Sequence, residues 1–316
     1  MNRLKDGLHK VSAYAPATCA NVAVGFDCLG FAFHELGDQV TLTKTTNGKI
    51  VISAIQSQET LPLDIKKNTA AVALIHLCEA LDLNLGFSIE IRKGIPLSSG
   101  LGGSAASAVA AVVACNAFLE NPLPLEDLAA FALLGEKVAS GIAHADNVVP
   151  CLFGGMTLIA SQQPLHVVRL PLPVIYCVLL HPHLQIATRD ARAILNPHVL
   201  LADHVQQSAA MGAFISALYQ ADLSLLKTSL QDRLIEPQRA HLIPGFYKMQ
   251  RAALQHGALG MSLSGSGPTV FAWATTLGDA HQIAGAMQQV LQDENINSDI
   301  WIGPISTRAA HVLEEN

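Results

Sequence analysis

The chain has 316 residues, 50% of them hydrophobic and 14% charged, with a formal net charge of −6. That length and composition suit a compact protein with one large or two ordinary domains. The acidic balance argues against a nucleic-acid partner, which would want a basic face, and no apolar run reaches the roughly 18 residues of a spanning helix.

The first residues, Met-Asn-Arg-Leu-Lys-Asp-Gly, lack the apolar core of a signal peptide, so a soluble cytoplasmic protein is expected. The six cysteines show no Cys-x-x-Cys spacing. They read as buried thiols of a reducing compartment.

Lys10 to Ala15 reads as a short strand. Residues 16–30 are rich in Gly and small side chains and set Asn21 and Asp27 among apolar neighbours. Buried polar groups need partners. Either a turn built on Asn and Asp or a ligand supplies them. Gln39 to Lys44 and Lys49 to Ile55 alternate around Asn47-Gly48, which predicts a hairpin. Asn68-Thr69 precedes an apolar run to Leu83 and can cap its helix.

Phe87 to Arg92 alternates as a strand and leads into Pro96-Leu97-Ser98-Ser99-Gly100-Leu101-Gly102-Gly103-Ser104-Ala105-Ala106. A small-residue apolar run follows, so the context is strand, Gly-rich loop, helix. Helix N-termini leave N–H groups unpaired and favour anions. The segment is therefore either a phosphate-binding loop or a Gly/Ser turn before a core helix. It matches neither the Gly-Lys-Ser/Thr phosphate loop nor Gly-x-Gly-x-x-Gly.

Leu125 to Ser140 is a second amphipathic helix closed by Gly141. Glu136 lies within it and is a solvated face residue, unless its side faces the loop, where it becomes a Mg²⁺ ligand candidate. His144, Asp146 and Asn147 fall within four positions and precede a strand entered through paired glycines, a run that favours a site. A domain boundary is expected at about residue 165, giving domains 1–165 and 166–316.

In the second half, Val174 to Leu180 reads as a buried strand, with His181-Pro-His183 at its end. Thr188 opens a short helix that stops before Pro197. Helices are expected over 204–220, 246–255 and 279–292, and a final strand over 300–303. A second Gly/Ser loop, Ser262 to Thr269, can meet the first.

Three ordered motifs resemble those of the GHMP kinases. They are Pro16-x-x-x-x-Asn21, the loop Pro96 to Ala106, and Ser264-Gly265-Ser266-Gly267-Pro268. Asn21-x-x-x-Gly25-Phe26-Asp27, His144-x-Asp146-Asn147, Thr188-x-x-x-Arg192 and Glu236-Pro-x-Arg239 are similar to the homoserine kinase family within them. The resemblance implies an α+β fold of two domains. The N-terminal one would be like the second domain of ribosomal protein S5, and the C-terminal one ferredoxin-like.

It also implies ATP-dependent phosphorylation of the L-homoserine hydroxyl in threonine biosynthesis, in a homodimer; the charge and the apolar runs point to no nucleic-acid or membrane partner. Residues 96–106 would wrap the ATP phosphates, with Asn68 on the nucleotide side, and Ser104 and Glu136 would hold Mg²⁺. Arg192 and Arg239 would bind the substrate carboxylate and Asp27 its ammonium. Asn21, His144, Asn147, Thr188 and Gly265 would complete the substrate site. Asp146 is the only carboxylate where related enzymes keep a base. The resemblance implies instead that the hydroxyl proton passes to phosphate, with Asn147 at the reacting group.

One departure stands out: Gly103 replaces the usual first Ser of Gly-Leu-Gly-Ser-Ser. The neighbouring readings are a GHMP kinase for mevalonate, shikimate or a sugar, or a non-catalytic nucleotide-binding regulator.

Overall fold

The structure is a computed structural model that describes residues 4–83 and 85–316. β1 (Lys10–Ala20) and β2 (Leu29–Thr45) run antiparallel, followed by β3 (Ile50–Gln56), α1 (Thr69–Ala80) and β4 (Gly86–Arg92). The loop then enters α2 (Gly103–Ala117), and α3 (Leu125–Ser140), α4 (Ala145–Phe153), β5 (Met156–Gln162) and β6 (Leu165–Leu170) follow.

The second half begins with β7 (Tyr176–Pro182), α5 (Thr188–Ala193), α6 (Leu201–Gln220), α7 (Leu223–Ser229), α8 (Glu236–Arg239) and α9 (Phe246–Gln255). It closes with β8 (Gly260–Leu263), β9 (Val270–Ala274), α10 (Leu277–Asp293), β10 (Ser298–Pro304) and β11 (His311–Glu315).

The first sheet runs β11-β1-β2-β4-β3, and β5 joins it through β2 and carries β6. The expected 165/166 boundary falls inside β6. The chain's last strand, β11, which the sequence reading missed, returns to pair with β1.

The hairpin expected around Asn47-Gly48 does not form as a pair. The turn itself is made: Gly48 has φ +66°, and Asn47 Oδ1 accepts from Lys49 N–H at 3.0 Å. β4 lies between the two strands, antiparallel to β2 and parallel to β3. β4 offers Phe87, Ile89 and Ile91 for complete or near-complete burial, whereas β3 buries only Ile52 and leaves Val51 exposed. Hydrophobic burial gives β4 the central place and leaves β3 at the edge, overriding the local turn signal.

α2 is buried on nearly every side. Its Ala and Val residues let it lie between the sheet and α1 and α3. Gly135 permits the last approach: a Cβ there would stand 2.4 Å from the Thr69 carbonyl oxygen and 2.8 Å from Ala73 Cβ. α3 therefore rests on α1, with Glu136 beside the contact.

The second sheet is four-stranded and antiparallel, in order β10-β7-β9-β8. With α9 and α10 it makes the β-α-β-β-α-β arrangement of a ferredoxin-like unit. Both of its faces are covered, so its strands read as unbroken apolar runs. Val178, Leu180, Val270 and Ala272 face one core with α9 and α10. Cys177, Leu179, Phe271 and Trp273 join the core of the first domain. Phe31 of β2 packs edge-on against Phe271 and Trp273, with ring centroids 5.8 and 5.6 Å apart. All six cysteines are free thiols, and no described helix is long and apolar enough to cross a membrane.

Candidate active site

A cleft of about 790 Å³ opens where the two Gly/Ser loops meet. The second loop grips the first through its backbone. Ser264 Oγ donates to the Gly100 carbonyl at 2.8 Å, and Thr269 N–H to the Ser99 carbonyl at 3.2 Å. From the other side Thr18 N–H donates to the Leu101 carbonyl at 3.1 Å. Leu101, Ala105 and Ala106, expected around the phosphates, are fully buried in the core beneath the loop. Pro96 to Gly100 and Gly102 to Ser104 line the cleft.

Gly102 is the N-cap of α2, left-handed at φ +67° and without a side-chain cap. No side chain therefore competes for the N–H groups of the first turn, and an anion can take them. A Cβ at Gly102 would lie 2.1 Å from Thr18 Oγ1 and 2.7 Å from Asn147 Oδ1. Gly102→Ala is expected to destabilise the fold by about 2 kcal/mol or more and to weaken ATP binding. Urea unfolding and nucleotide titration check both.

Glu136 reaches the cleft from α3 and is buried. Its Oε1 lies 3.2 Å from His144 Nδ1, and its Oε2 is buried with no hydrogen-bond partner among the described residues. The helix residue is thus not a solvated face residue. Ser104 lines the same cleft, its carbonyl accepting from Thr69 Oγ1 at 3.0 Å. Asn68 borders the cleft and caps α1, its Oδ1 accepting from Ala71 N–H at 3.2 Å.

The His144-to-Asn147 run opens α4, a helix the sequence did not disclose, whose residues are almost all buried, and Gly154-Gly155 then lead into β5 as expected. Burial alone would lower the His144 pKa. The Glu136 hydrogen bond and the Asp146 charge outweigh burial, so the net direction is upward. Asp146 is buried with Oδ1 unpartnered. Burial, reinforced by the Asp27 charge, pushes its carboxyl up to about 7.

That pKa is raised above the unfolded value, so the folded state binds the extra proton between roughly pH 4 and 7. This contribution to stability is full at the acid end and is lost as pH rises through the folded pKa. Asp146→Asn removes it, so the variant should gain stability relative to the parent from pH 4 to pH 7. Urea midpoints at the two pH values test this.

Asp27, Arg192 and Arg239 line the same cleft. Asn21, Val22 and Ala23 all have positive φ, at 74, 46 and 57°, and Asp27 follows at 58°. Such a run in non-glycine residues, one of them β-branched, is strained, and strain of this kind clusters at ligand sites. Asn21 holds it, donating from Nδ2 to the Gly265 carbonyl and accepting from Asp27 N–H, both at 3.0 Å.

Arg192 Nη2 pairs with both Asp27 carboxylate oxygens at 2.6 Å. Arg239 is buried, donating from Nε to the Ala191 carbonyl at 2.9 Å and from Nη1 to the Gly265 carbonyl at 3.1 Å. Both guanidinium groups stand 5.3 Å from the centre of the Phe26 ring. Thr188 Oγ1 meets Ser266 Oγ at 3.3 Å, and Asn147 Oδ1 accepts from Thr18 Oγ1 at 2.8 Å.

Thr18, Phe26, Lys93 and Ser266 were not among the expected site residues. Phe26 and Ser266 sit inside the recognised motifs, which could have flagged them. Thr18 falls on an unspecified position of the Pro16-to-Asn21 motif, and Lys93 carries no local signal. Glu236, from the motif that holds Arg239, does not line the cleft. It accepts from Ser262 Oγ at 2.5 Å and from Gln250 Nε2 at 3.0 Å, and burial pushes its carboxyl up to about 7. Asp232 caps the same turn by accepting the N–H groups of Leu234, Ile235 and Glu236. His181 and His183 end β7, His181 bonded to Thr269 and His183 to Asp299. Among the described residues no cluster of three or more His, Cys, Asp or Glu could hold a metal.

Residues 68–155 match the GHMP kinases N terminal domain, and residues 214–293 match GHMP kinases C terminal. A homoserine kinase of Chloroherpeton thalassium is 41% identical over 97% of this chain and all of its own. One from Xylella fastidiosa is 43% identical over 96% of this chain and 94% of its own. The crystal structure of homoserine kinase from Cytophaga hutchinsonii superposes with a TM-score of 0.95 at 42% identity, covering 98% of this chain and 99% of that one. The chain therefore belongs to the GHMP kinase family, and within it to the homoserine kinases.

Proposed function

We propose that this chain transfers the γ-phosphoryl group of ATP to the side-chain hydroxyl of L-homoserine, releasing ADP and O-phospho-L-homoserine. One observation carries the substrate assignment. The uncapped α2 N-terminus and the charged set Asp27, Arg192 and Arg239 face the same cleft. An amino acid brings a carboxylate and an ammonium. The guanidinium groups of Arg192 and Arg239 suit the first, and the Asp27 carboxylate suits the second. The Asp27–Arg192 pair is then the internal counterpart of a zwitterion, which the substrate would share. A neutral sugar offers these charges nothing.

At the other end, Ser98, Ser99 and the first-turn N–H groups of α2 would take the triphosphate, with Asn68 on the nucleotide side. The unpartnered Oε2 of Glu136 and the hydroxyl of Ser104 fit a hard divalent cation such as Mg²⁺, which wants oxygen ligands and shares them with phosphate. When bound, that ion would neutralise charge on the phosphate oxygens.

In the transfer, the homoserine hydroxyl oxygen bonds to the γ-phosphorus. The bond to the β,γ-bridging oxygen breaks, and ADP leaves with the electron pair. The hydroxyl proton goes to an oxygen of the transferred phosphoryl group. Asn21, His144, Asn147, Thr188 and Gly265 would orient the substrate, which is most of what phosphoryl transfer requires.

Asp146 stands outside the proton path in this reading, which sends the hydroxyl proton directly to the phosphoryl group; burial and the Asp27 charge raise its carboxyl to about 7, so its neutral form is well populated at neutral pH. An Asn imitates that form, so Asp146→Asn should keep kcat within about tenfold. Abolished turnover with intact ATP binding would make Asp146 the base.

ADP release measured in parallel with L-homoserine, mevalonate, shikimate and galactose tests the substrate assignment. A strong preference for homoserine is expected, and a preference for any other would refute it.

A further inference from the structure

Asp38 on β2 and Lys93 just beyond β4 form an ion pair that none of the steps above uses. The Asp38 carboxylate is fully buried, and the Lys93 side chain is 7% exposed. All three ammonium protons have acceptors: Asp38 Oδ2, the Gly103 carbonyl at 2.7 Å and Ser107 Oγ at 3.0 Å. Ser107 Oγ donates in turn to Asp38 Oδ2 at 2.7 Å. The other carboxylate oxygen, Oδ1, accepts the backbone N–H groups of Gly94 and Ile95, both at 3.1 Å.

These bonds fall at two places in the chain. Gly94 and Ile95 immediately precede Pro96, where the Gly/Ser loop begins. Gly103 and Ser107 belong to the start of α2, where it ends. The pair thus joins the loop's entry to its exit, and Lys93, Gly103 and Ser107 all border the cleft.

The ion pair suits positioning better than stabilisation. A buried ion pair is poor evidence for stability, because desolvation offsets most of the attraction. A loop with glycines at 100, 102 and 103 has much backbone freedom to lose, so a fixed anchor at its base has a large effect on its geometry. Position 103 adds a local reason. A Cβ there would stand 3.1 Å from Ile95 Cγ2 and 3.4 Å from Lys93 Nζ. With Gly103 in place, the lysine holds the backbone carbonyl.

We propose that Asp38 and Lys93 are positioning residues for phosphoryl transfer. Their ion pair clasps both ends of the loop and holds the first-turn N–H groups of α2, and Ser104, where the nucleotide phosphates meet them. This rests on reading the loop as the ATP-phosphate site.

The test compares Lys93→Met, the charge-free double variant Asp38→Leu/Lys93→Met, and the milder Ser107→Ala. ATP binding is measured by calorimetry, KM by steady-state kinetics for each substrate, and folding by thermal melting. Lys93→Met and the double variant should raise the ATP dissociation constant roughly tenfold or more, with KM for homoserine within about twofold. Ser107→Ala, which keeps the ion pair, should show a smaller shift of the same kind.

A folded double variant that binds ATP like the parent overturns the proposal, as does an equal rise in both KM values. If the charge variants do not fold, Ser107→Ala decides: unchanged ATP affinity refutes the clasp. A parent protein that binds no ATP at all would instead refute the phosphate-loop reading.

Discussion

Glu136→Gln should lower kcat by about a thousandfold, a loss of about 4 kcal/mol of transition-state stabilisation. The substitution keeps the side-chain shape and the contact of one oxygen with His144. It removes the negative charge at the end whose Oε2 is buried without a partner. Such an atom is costly to bury unless something else satisfies it. The fold should therefore survive, with a melting temperature close to the parent's, while the stabilisation of the ADP complex by added Mg²⁺ is lost. Thermal shift with and without Mg²⁺ separates this from a structural defect. A kcat within tenfold of the parent would remove Glu136 from the metal site.

The second large effect is expected at Arg239. Arg239→Lys should reduce kcat/KM for L-homoserine by two to three powers of ten, about 3–4 kcal/mol, and leave KM for ATP almost unchanged. Lysine keeps the charge but loses the planar fork. The native guanidinium spends Nε on the Ala191 carbonyl and Nη1 on the Gly265 carbonyl, and these bonds fix its direction. A point ammonium lacks the width of the planar fork, which spans the Ala191 and Gly265 carbonyls and still presents an N–H edge to a carboxylate. Steady-state kinetics with each substrate varied in turn give the split. If KM for ATP rises and KM for homoserine does not, Arg239 belongs to the nucleotide end.

How much of this was legible in the sequence varied with the range of the signal. α3 and its closing Gly141 were readable because amphipathic period and a left-handed glycine are local features. The same holds for Asn68 as a cap and for α9. The Asn47-Gly48 hairpin failed because alternation says that a strand is half buried and does not say which strand pairs with it. β4 won that place through Phe87, Ile89 and Ile91. α4 was missed because Pro150 and the paired glycines beyond it hide a nine-residue helix.

In the cleft, the charged residues were found through ordered motifs, each short. The facing of Glu136 was not legible: it depends on Gly135 letting α3 settle on α1. Nor could the sequence show that Asp27 and Arg192, far apart in the chain, would pair. Asp38 and Lys93 are separated in the same way and lie in no motif, so only the fold brings them to the loop.

Direct transfer requires that one cleft bring ATP and the homoserine hydroxyl together. It is tested most directly by ³¹P NMR of the protein incubated with ATP, Mg²⁺ and L-homoserine. The expected result is a phosphomonoester signal of O-phospho-L-homoserine that grows in step with ADP and does not appear without homoserine. ADP accumulating with inorganic phosphate alone, or at the same rate without homoserine, would contradict it.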